Sequence, residues 1–411
     1  MNIKRLSILI VAASLAVGIG AQSGDYSMFG YGILNDNASS SQRQMGGVGY
    51  ATNNSRNINV MNPASYASID SLTFLFDMGI DLTAIWQKEN GKTAKNFGGG
   101  LDYITMEVPL SKRFGASMGL VPYSSVGYSF GSSIDNGVQT RSGSGGLNQV
   151  YLGFSAKTFK GLSLGFNISY LFGTNLAESY AVSNDGETAL FQKTIQVRDF
   201  HLQVGAQYTV NLNKKSNVTL GAVYSPKKTL LGNTWATKSK MNADGSFTDV
   251  DTLSYVSLNR NFDLPHSFGA GLAYNYDKRL TAAVDFTYQL WSDVKYMPIV
   301  LATDTQFADR WKIAAGAEYQ PAIRGSWPRR LVYRAGFFYE GDYIKFGDNQ
   351  VKSYGASFGF GFPTSNGKSI VNLGLEYRHR SAGDKYLKED FLNITLGFKI
   401  NEMWFWQNKI R

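Results

Sequence analysis

The sequence predicts an all-β fold, a transmembrane barrel of about fourteen antiparallel strands with an N-terminal plug, or hatch, in its lumen. Three observations lead to this prediction. Segments in which apolar and polar residues strictly alternate recur along the chain. The composition is rich in Gly (44 of 411 residues) and aromatic residues (14%) and poor in charged residues (17%). After the first residues, no apolar stretch has the roughly 18 residues that a membrane helix needs.

Residues 1–21 are predicted to form a signal peptide. Lys4 and Arg5 give a positive start, residues 6–17 are apolar, and small residues precede Gln22 as a cleavage site. The mature chain is therefore expected to be exported. Its remaining basic residues are scattered along the sequence, so nucleic acid is not an expected partner.

Residues 22–70 are predicted to form the plug. This stretch lacks sustained alternation, yet it keeps more apolar side chains than a solvated tail usually has, including Tyr31, Met45 and Val48. A barrel of this size also has a lumen too wide for its own side chains to fill. A segment folded inside the lumen would satisfy both observations, and a free periplasmic tail is the alternative.

Residues 71–400 are predicted to form the barrel. Residues 391–400 place Leu392, Ile394 and Leu396 on one face and Asn393 and Thr395 on the other. Similar segments carry their charged side chains opposite the apolar face, which is typical of a polar lumen with lipid outside. The predicted strands cover 71–85, 98–110, 113–130, 146–158, 161–178, 190–212, 217–235, 251–275, 279–292, 309–320, 329–340, 351–362, 369–380 and 390–400.

The predicted connections alternate between short and long. Turns such as Ser111-Lys112 are short, whereas residues 86–97, 131–145 and 341–350 are expected to be longer loops. Outer-membrane barrels have short periplasmic turns and longer extracellular loops. We therefore expect both chain termini to lie on the periplasmic side of a bacterial outer membrane, in contact with lipid and lipopolysaccharide.

The third predicted strand contains a proline. Val121, Pro122 and Tyr123 lie where the strand should be fully hydrogen-bonded, and proline removes a ladder donor. A break in strand pairing is expected near Pro122. A simple bulge and a lateral gap are both compatible with it, and Pro265 interrupts the eighth predicted strand in the same way.

Enzymatic and metal sites find little support in the sequence. The pattern G-x-S-x-G begins at Gly127 and again at Gly355, but both copies lie inside predicted strands and not at a strand-to-helix turn. The chain has no cysteine, and its three histidines show no catalytic spacing. Four acidic residues of the lumen face are spread over different strands and are interpreted as lumen charge: Asp285, Glu318, Glu340 and Glu376. No catalytic residue, metal or cofactor is predicted.

Several motifs resemble those of FadL-like outer-membrane transporters of long-chain fatty acids and other hydrophobic compounds. One is Asn62-Pro63-Ala64, preceded by Arg43-Gln44-Met45-Gly46-Gly47; another is Leu264-Pro265-His266-Ser267-Phe268-Gly269. The resemblance implies a hatch-closed barrel that binds a hydrophobic ligand in its lumen and releases it sideways at a kink in the third strand. It makes Asn62, Pro63, Ala64, Arg43 and Arg56 candidate hatch and ligand residues. It makes Val121, Pro122 and Tyr123 candidates for the lateral gap.

Residues 401–411 depart from that family, whose members commonly stop at a terminal aromatic residue. Here Phe398 is followed by an extension with Trp404, Phe405 and Trp406 and a basic end, which resembles those of barrels from Bacteroidota-type bacteria. An interfacial anchor on the periplasmic side is one interpretation. A docking strip, Trp404 to Arg411, for other subunits of an outer-membrane complex is the other.

Passive transport of hydrophobic, fatty-acid-like molecules is the function that the resemblance implies. The alternative is a non-transporting barrel subunit of an outer-membrane secretion or barrel-assembly complex. A continuous apolar channel from the loops to the third strand would favour transport, and a packed lumen would favour the subunit.

Overall fold

The protein is a closed antiparallel β-barrel of fourteen strands, seen in a computed structural model that describes residues 23–184, 187–241, 247–297, 306–322, 325–364 and 369–403. Strands β7 and β8 are each interrupted and have two parts. The strands are β1 Thr73–Glu89, β2 Lys92–Pro109, β3 Phe114–Ile134, β4 Gly137–Phe159, β5 Leu162–Ser183, β6 Thr188–Asn211, β7 Ser216–Ser225 and Gly232–Met241, β8 Phe247–Ser257 and Ser267–Tyr276, β9 Leu280–Gln289, β10 Arg310–Tyr319, β11 Val332–Phe346, β12 Asn349–Pro363, β13 Ile370–Ser381 and β14 Lys388–Met403.

Sequential strands pair in order, and β1 pairs with β14 to close the barrel, from Thr73 opposite Met403 to Lys88 opposite Lys388. This pairing of the first and last strands is what the bilayer requires, because hydrocarbon offers backbone groups no hydrogen bonds. The predicted all-β antiparallel barrel of fourteen strands is confirmed.

The expected long loops at 86–97, 131–145 and 341–350 are wrong. These residues continue the strands and turn in tight hairpins, at Asn90 and Gly91 between β1 and β2 for example. Strand β6 has 24 residues, whereas β9 and β10 have 10 each. A tilted strand crosses a bilayer with about 9 to 11 residues, so the wall around β6 rises well beyond the membrane. The strands predicted from alternation ended too early. Their parts beyond the membrane do not need an apolar outer face, so the alternation is weaker there.

The two faces of each strand differ sharply. On β6, Leu202, Val204 and Tyr208 are exposed on one face. Gln203 and Gln207, on the other face, bond to residues of the N-terminal part of the chain. Exposed apolar side chains on the outside and polar side chains inside are the arrangement of a barrel in lipid. Among the described residues, no helix is long and apolar enough to cross a membrane.

Residues 23–72, called the inner segment below, lie against the inner face of the barrel. The segment contains 3-10 helices Asp25–Met28 and Pro63–Ser68, the strand Ile33–Leu34 and the helix Ser40–Arg43. It bonds to strands on opposite sides of the barrel, for example to Gln207 on β6 and Arg334 on β11. Only a segment in the lumen can reach both.

Further short elements lie outside the barrel strands. They are the helices Trp291–Asp293 and Trp327–Arg330, the strand Gln306–Phe307, and the paired strands Lys228–Thr229 and Asp263–Leu264.

The described chain ends lie toward opposite ends of the barrel. The Ser23 amide donates to Gly127 O at 2.9 Å, and the next residue lies against Glu389, near the start of β14. Met403 pairs with Thr73 at the other end. The expectation that both chain termini lie on the periplasmic side stays a prediction. The predicted signal peptide and residues 404–411 of the predicted extension lie outside the described residues.

Candidate functional site

Among the described residues, the wall has one place where neighbouring membrane strands separate. β2 and β3 pair only from Pro109 opposite Gly115 to Ile104 opposite Leu120. Beyond these residues, within the described chain, β2 pairs with β1 alone, and β3 pairs with β4 and the inner segment. We call this opening between residues 92–103 and 121–134 the seam.

The inner segment covers the β3 edge of the seam. Its strand Ile33–Leu34 pairs antiparallel with Ser125 and Ser124. The Asn35 amide donates to Tyr123 O at 2.9 Å. Gly32 has a φ of +91°, and a Cβ at this position would lie 2.4 Å from Ser125 O. Only glycine therefore lets the segment approach this edge so closely.

A cavity of about 480 Å³ lies inside the seam. Leu101 and Pro122 line it from the two sides of the opening. Its charged lining has four acidic and four basic side chains: Asp36, Asp81, Asp102, Glu376, Arg43, Lys312, Arg378 and Arg380. This balance gives the cavity polar walls without an excess of either charge.

Asp36 of the inner segment is bound to the opposite wall by two cations. Its carboxylate accepts from Arg310 at 2.8 Å and from Lys312 at 2.5 Å. Burial raises the pKa of Asp36, but the two cations outweigh burial and hold that pKa well below its usual range. Arg310 also contacts Glu340 at 3.2 Å, so the pair belongs to a larger network.

The network extends along the lumen face. Glu340 meets Arg378 at 3.2 Å, and Arg378 meets Glu376 at 3.4 Å. Arg334 pairs with Glu318 at 2.7 Å and donates to the side chain of Gln44 in the inner segment at 2.9 Å. Buried charges need such partners, because an unpaired ion away from water is strongly disfavoured.

Asp285 binds the inner segment through its backbone. Its carboxylate accepts from the Gly49 amide at 2.6 Å and the Tyr50 amide at 2.8 Å. Nearby, Gly316 and Gly336 leave room for Met45. A Cβ on either glycine would lie 2.0 to 2.1 Å from the backbone of Met45. The segment is thus held tightly against β9, β10 and β11.

An aromatic cluster fills the lumen toward the end where β14 begins. Tyr31 of the inner segment contacts Trp291 and Tyr296, and Trp291 stacks on Tyr343 with ring centroids 4.4 Å apart. Tyr31, Trp291 and Tyr343 are fully buried. The lumen above the charged cavity is therefore packed with side chains.

The Asn62-Pro63-Ala64 motif braces the inner segment against β5 and β6. The Asn62 side chain donates to Tyr50 O at 2.7 Å and accepts from the Ala64 amide at 3.1 Å. Pro63 packs against Gly165 and Gly205, where a Cβ would lie less than 3 Å away. None of the three motif residues lines the large cavity.

The two candidate arginines lie in different surroundings, and only one of them lines the cavity. Arg43 lines the cavity and pairs with Asp102 at 2.7 Å. Arg56 lies in a turn, where its amide donates to the Asn54 side chain at 3.0 Å, and it does not line the cavity. Of the two, only Arg43 is positioned to meet a molecule in the cavity.

The three candidate gap residues lie where the seam begins. Pro122 lines the cavity, and the pairing of β3 with β4 shifts register between Pro122 and Ser124. Val121 is buried in a cluster with Ile58 and Val60 of the inner segment. Tyr123 packs toward the aromatic cluster. Both a bulge toward β4 and a loss of pairing toward β2 therefore occur at this proline.

Two of the three histidines have hydrogen-bond partners among the described residues. His379 bonds to Asp390 at 2.8 Å, and His266 bonds to the Tyr224 hydroxyl at 2.9 Å. Both G-x-S-x-G patterns lie inside strands β3 and β12. The described residues contain no group of acidic or histidine side chains arranged to hold a metal ion.

Asp36 and the cations of the network were missed by the sequence interpretation. Arg310, Lys312, Arg334, Arg378 and Arg380 occupy alternate positions of their strands on the lumen face. That alternation was a signal for lumen charge. The meeting of Arg310 and Lys312 with Asp36 of the inner segment depends on barrel closure, which no local pattern specifies.

Comparisons with known proteins identify solved structures that have the same architecture. The fold matches that of outer-membrane channels for hydrophobic compounds. The P. putida toluene transporter TodX has a TM-score of 0.63 at 18% identity, over 90% of this chain and 100% of that one. The monoaromatic hydrocarbon channel CymD has a TM-score of 0.58 at 14% sequence identity, and the match covers 88% of this chain and 97% of that one. A Pseudomonas aeruginosa FadL homologue has a TM-score of 0.60 at 13% sequence identity, and the match covers 90% of this chain and 98% of that one.

At these identities the likeness shows the fold. No curated protein sequence matches this chain. A family model described as BamG matches residues 2–411.

Proposed function

The chain belongs to the BamG family, and we propose that it is an outer-membrane barrel, closed by its inner segment, that serves as a non-transporting subunit of an outer-membrane complex. The observation that carries this proposal is the filled lumen. The aromatic cluster packs one end, and ion pairs tie the inner segment to the wall in the middle.

A route for hydrophobic molecules would need a continuous apolar lining. The cavity inside the seam has eight charged side chains in its lining. A hydrocarbon gains no hydrophobic free energy by leaving lipid for such walls, and it would displace water that solvates the charges. The lumen is therefore better suited to holding the barrel in one shape than to passing an oily ligand.

The outer surface offers room for partners. The wall around β6 extends beyond the membrane, and Val138, Tyr255 and Val250 are exposed on its upper strands. Residues 404–411, with their aromatic and basic side chains, remain a proposed periplasmic docking strip, and residues 1–21 a proposed signal peptide.

Purification from native outer membranes tests the proposal. The full-length protein, tagged within an exposed hairpin, is extracted in a mild detergent or a polymer nanodisc and analysed by native mass spectrometry. We expect a stoichiometric complex with other membrane proteins and no bound hydrophobic compound in the lumen. A monomer carrying a stoichiometric lipid-like ligand would contradict the proposal.

A variant lacking residues 404–411 serves as the second arm. If the strip contacts a partner, the truncated chain still folds but loses that partner. If the strip is an interfacial anchor, the complex survives the truncation unchanged.

Lateral passage of hydrophobic, fatty-acid-like molecules is the second candidate function. The seam favours it, because the cavity meets the wall between Leu101 and Pro122. Arg43 would then face the ligand's polar group. Uptake of a long-chain fatty acid by cells that depend on this protein, and its loss when the seam is crosslinked, would replace the first proposal with this one.

A further inference from the structure

The seam has two strand edges, and the inner segment covers only one of them. On the β3 edge, Ile33–Leu34 pairs with Ser125 and Ser124 as an added antiparallel strand. On the β2 edge, residues 92–103 pair on one side only, with β1, among the described residues. The backbone groups that point away from β1 therefore face the opening.

The β2 edge lies at the level of the lipid. Leu101 is exposed on the outer face beside the opening, and Phe97 is 71% exposed, among the highest values for apolar side chains of the barrel. Hydrocarbon cannot satisfy backbone N–H and C=O groups, so an open edge at this depth needs a polar partner. An extended polypeptide is the partner that matches such a row of alternating donors and acceptors.

We propose that an extended segment of a partner outer-membrane protein adds to the β2 edge at residues 97–103 as a further strand. The occupied β3 edge indicates which chemistry the seam accepts, because the chain's own short strand binds there through its backbone. The inference rests on the proposed function as a complex subunit and assigns the place of contact.

The surroundings of the edge define the partner segment. Its outward side chains lie beside Phe97 and Leu101 and are apolar, because they face lipid. Its inward side chains face the charged cavity near Arg43 and Asp102 and are polar. This is the period-two pattern of a membrane strand, and no particular side chain is needed for the backbone bonds.

A photo-crosslinking experiment in native outer membranes tests the contact. A benzoylphenylalanine replaces Phe97 in the full-length protein. The matched control replaces Phe358, which is 64% exposed on β12, a strand paired on both sides. We expect Phe97 to give one protein adduct whose crosslinked peptides map to one extended segment, and Phe358 to give lipid adducts.

A cysteine pair provides the second control in a chain whose sequence has no cysteine. Gly100→Cys and Ser124→Cys face each other when the register of β2 and β3 continues through the seam in place of the pairing with Leu34, so their disulfide excludes any added strand. Oxidation should close the seam and abolish the Phe97 adduct, and reduction should restore it.

The outcomes separate this inference from the function on which it rests. Lipid adducts alone at Phe97, or an adduct that survives seam closure, overturn the added strand, even when the complex is recovered in native mass spectrometry. Recovery of a monomer in that measurement overturns the proposed function itself.

Discussion

The inner segment meets two walls of the barrel, and it binds them in different ways. On the closed wall, formed by β9 to β12, it is held by side chains, through Asp36 with Arg310, Asp285 with the Gly49 amide, and Gln44 with Arg334. On the β3 edge of the seam it is held by backbone bonds to Tyr123 and Gly127 and by the strand Ile33–Leu34, and on the β2 side Arg43 pairs with Asp102.

The two kinds of contact suit different roles: one holds the inner segment in place, and the other can be made by a different strand. Side-chain pairs require particular residues at particular places, so the contacts on the closed wall depend on the sequence of this segment. Backbone pairing is available to any extended chain, so another strand could occupy the same edge. The closed wall thus fixes the inner segment, whereas the seam is the place where the barrel can accept something else.

Breaking the anchor at Arg310 should have the largest effect. Arg310→Met leaves Asp36 and Glu340 with one fewer buried cation, and removing one member of a buried pair costs about 3–5 kcal/mol. The free energy of unfolding in lipid vesicles, followed by tryptophan fluorescence in a denaturant titration, measures it. Arg279→Met, at an exposed pair with Asp277, should cost about 0–1 kcal/mol. Equal losses for the two variants would refute the anchor.

The pH dependence of an Asp36→Asn variant tests whether the charge of Asp36 holds the inner segment to the closed wall. The pKa of Asp36 is lowered in the fold, so its ionised form stabilises the protein above the unfolded-state pKa near 4, and that stability is lost as pH falls below it. We expect the variant to be about 2–3 kcal/mol less stable at pH 7, as for hydrogen bonds to a charged group. The difference from wild type should shrink in titrations below pH 4. A gap that is the same at pH 3 and pH 7 would mean that the charge of Asp36 contributes nothing.

Crowding the closed wall should release the inner segment. In Gly336→Ala the added Cβ would lie 2.0 Å from the Met45 backbone, and overpacking of this kind costs about 1–3 kcal/mol. Limited proteolysis should then cut near Met45 faster than in wild type. Gly131→Ala is the matched control, because its Cβ meets nothing closer than 3.7 Å. Unchanged cleavage in Gly336→Ala would show that the segment does not rest on this wall.

Side-chain changes at the seam should have the smallest effect. Ser124→Ala leaves the backbone pairing with Leu34 intact, and the Ser124 hydroxyl has no partner to lose. We expect a change within about 0.5 kcal/mol in the same titration. A loss as large as that of the Arg310 variant would show that the seam also recognises side chains.

Alternation along the chain was sufficient to predict the barrel and its strand order. A strand such as 391–400 shows both faces in its own residues, and each strand needs only that local signal. The hairpin ends of β3 and β4 show weaker alternation, because above the membrane the outer face no longer has to be apolar. The long loops expected there were therefore wrong.

The site was less predictable than the fold. Pro122 marked the start of the seam, because a missing backbone donor is visible in one residue. Asp36 and Arg310 are 274 positions apart, and nothing near either residue indicates that they meet. Contacts set by barrel closure are non-local, so one sequence could provide the residue types but not their pairing.

Conductance in a planar bilayer tests most directly whether the inner segment closes the lumen. Purified full-length protein and a variant lacking residues 23–70 are inserted under the same conditions, and folding is checked by heat-modifiable mobility on gels. We predict no steady conductance for the full-length protein and stable open-channel steps for the deletion variant. A full-length protein that conducts in the same steps, or a folded deletion variant that stays closed, would contradict the account.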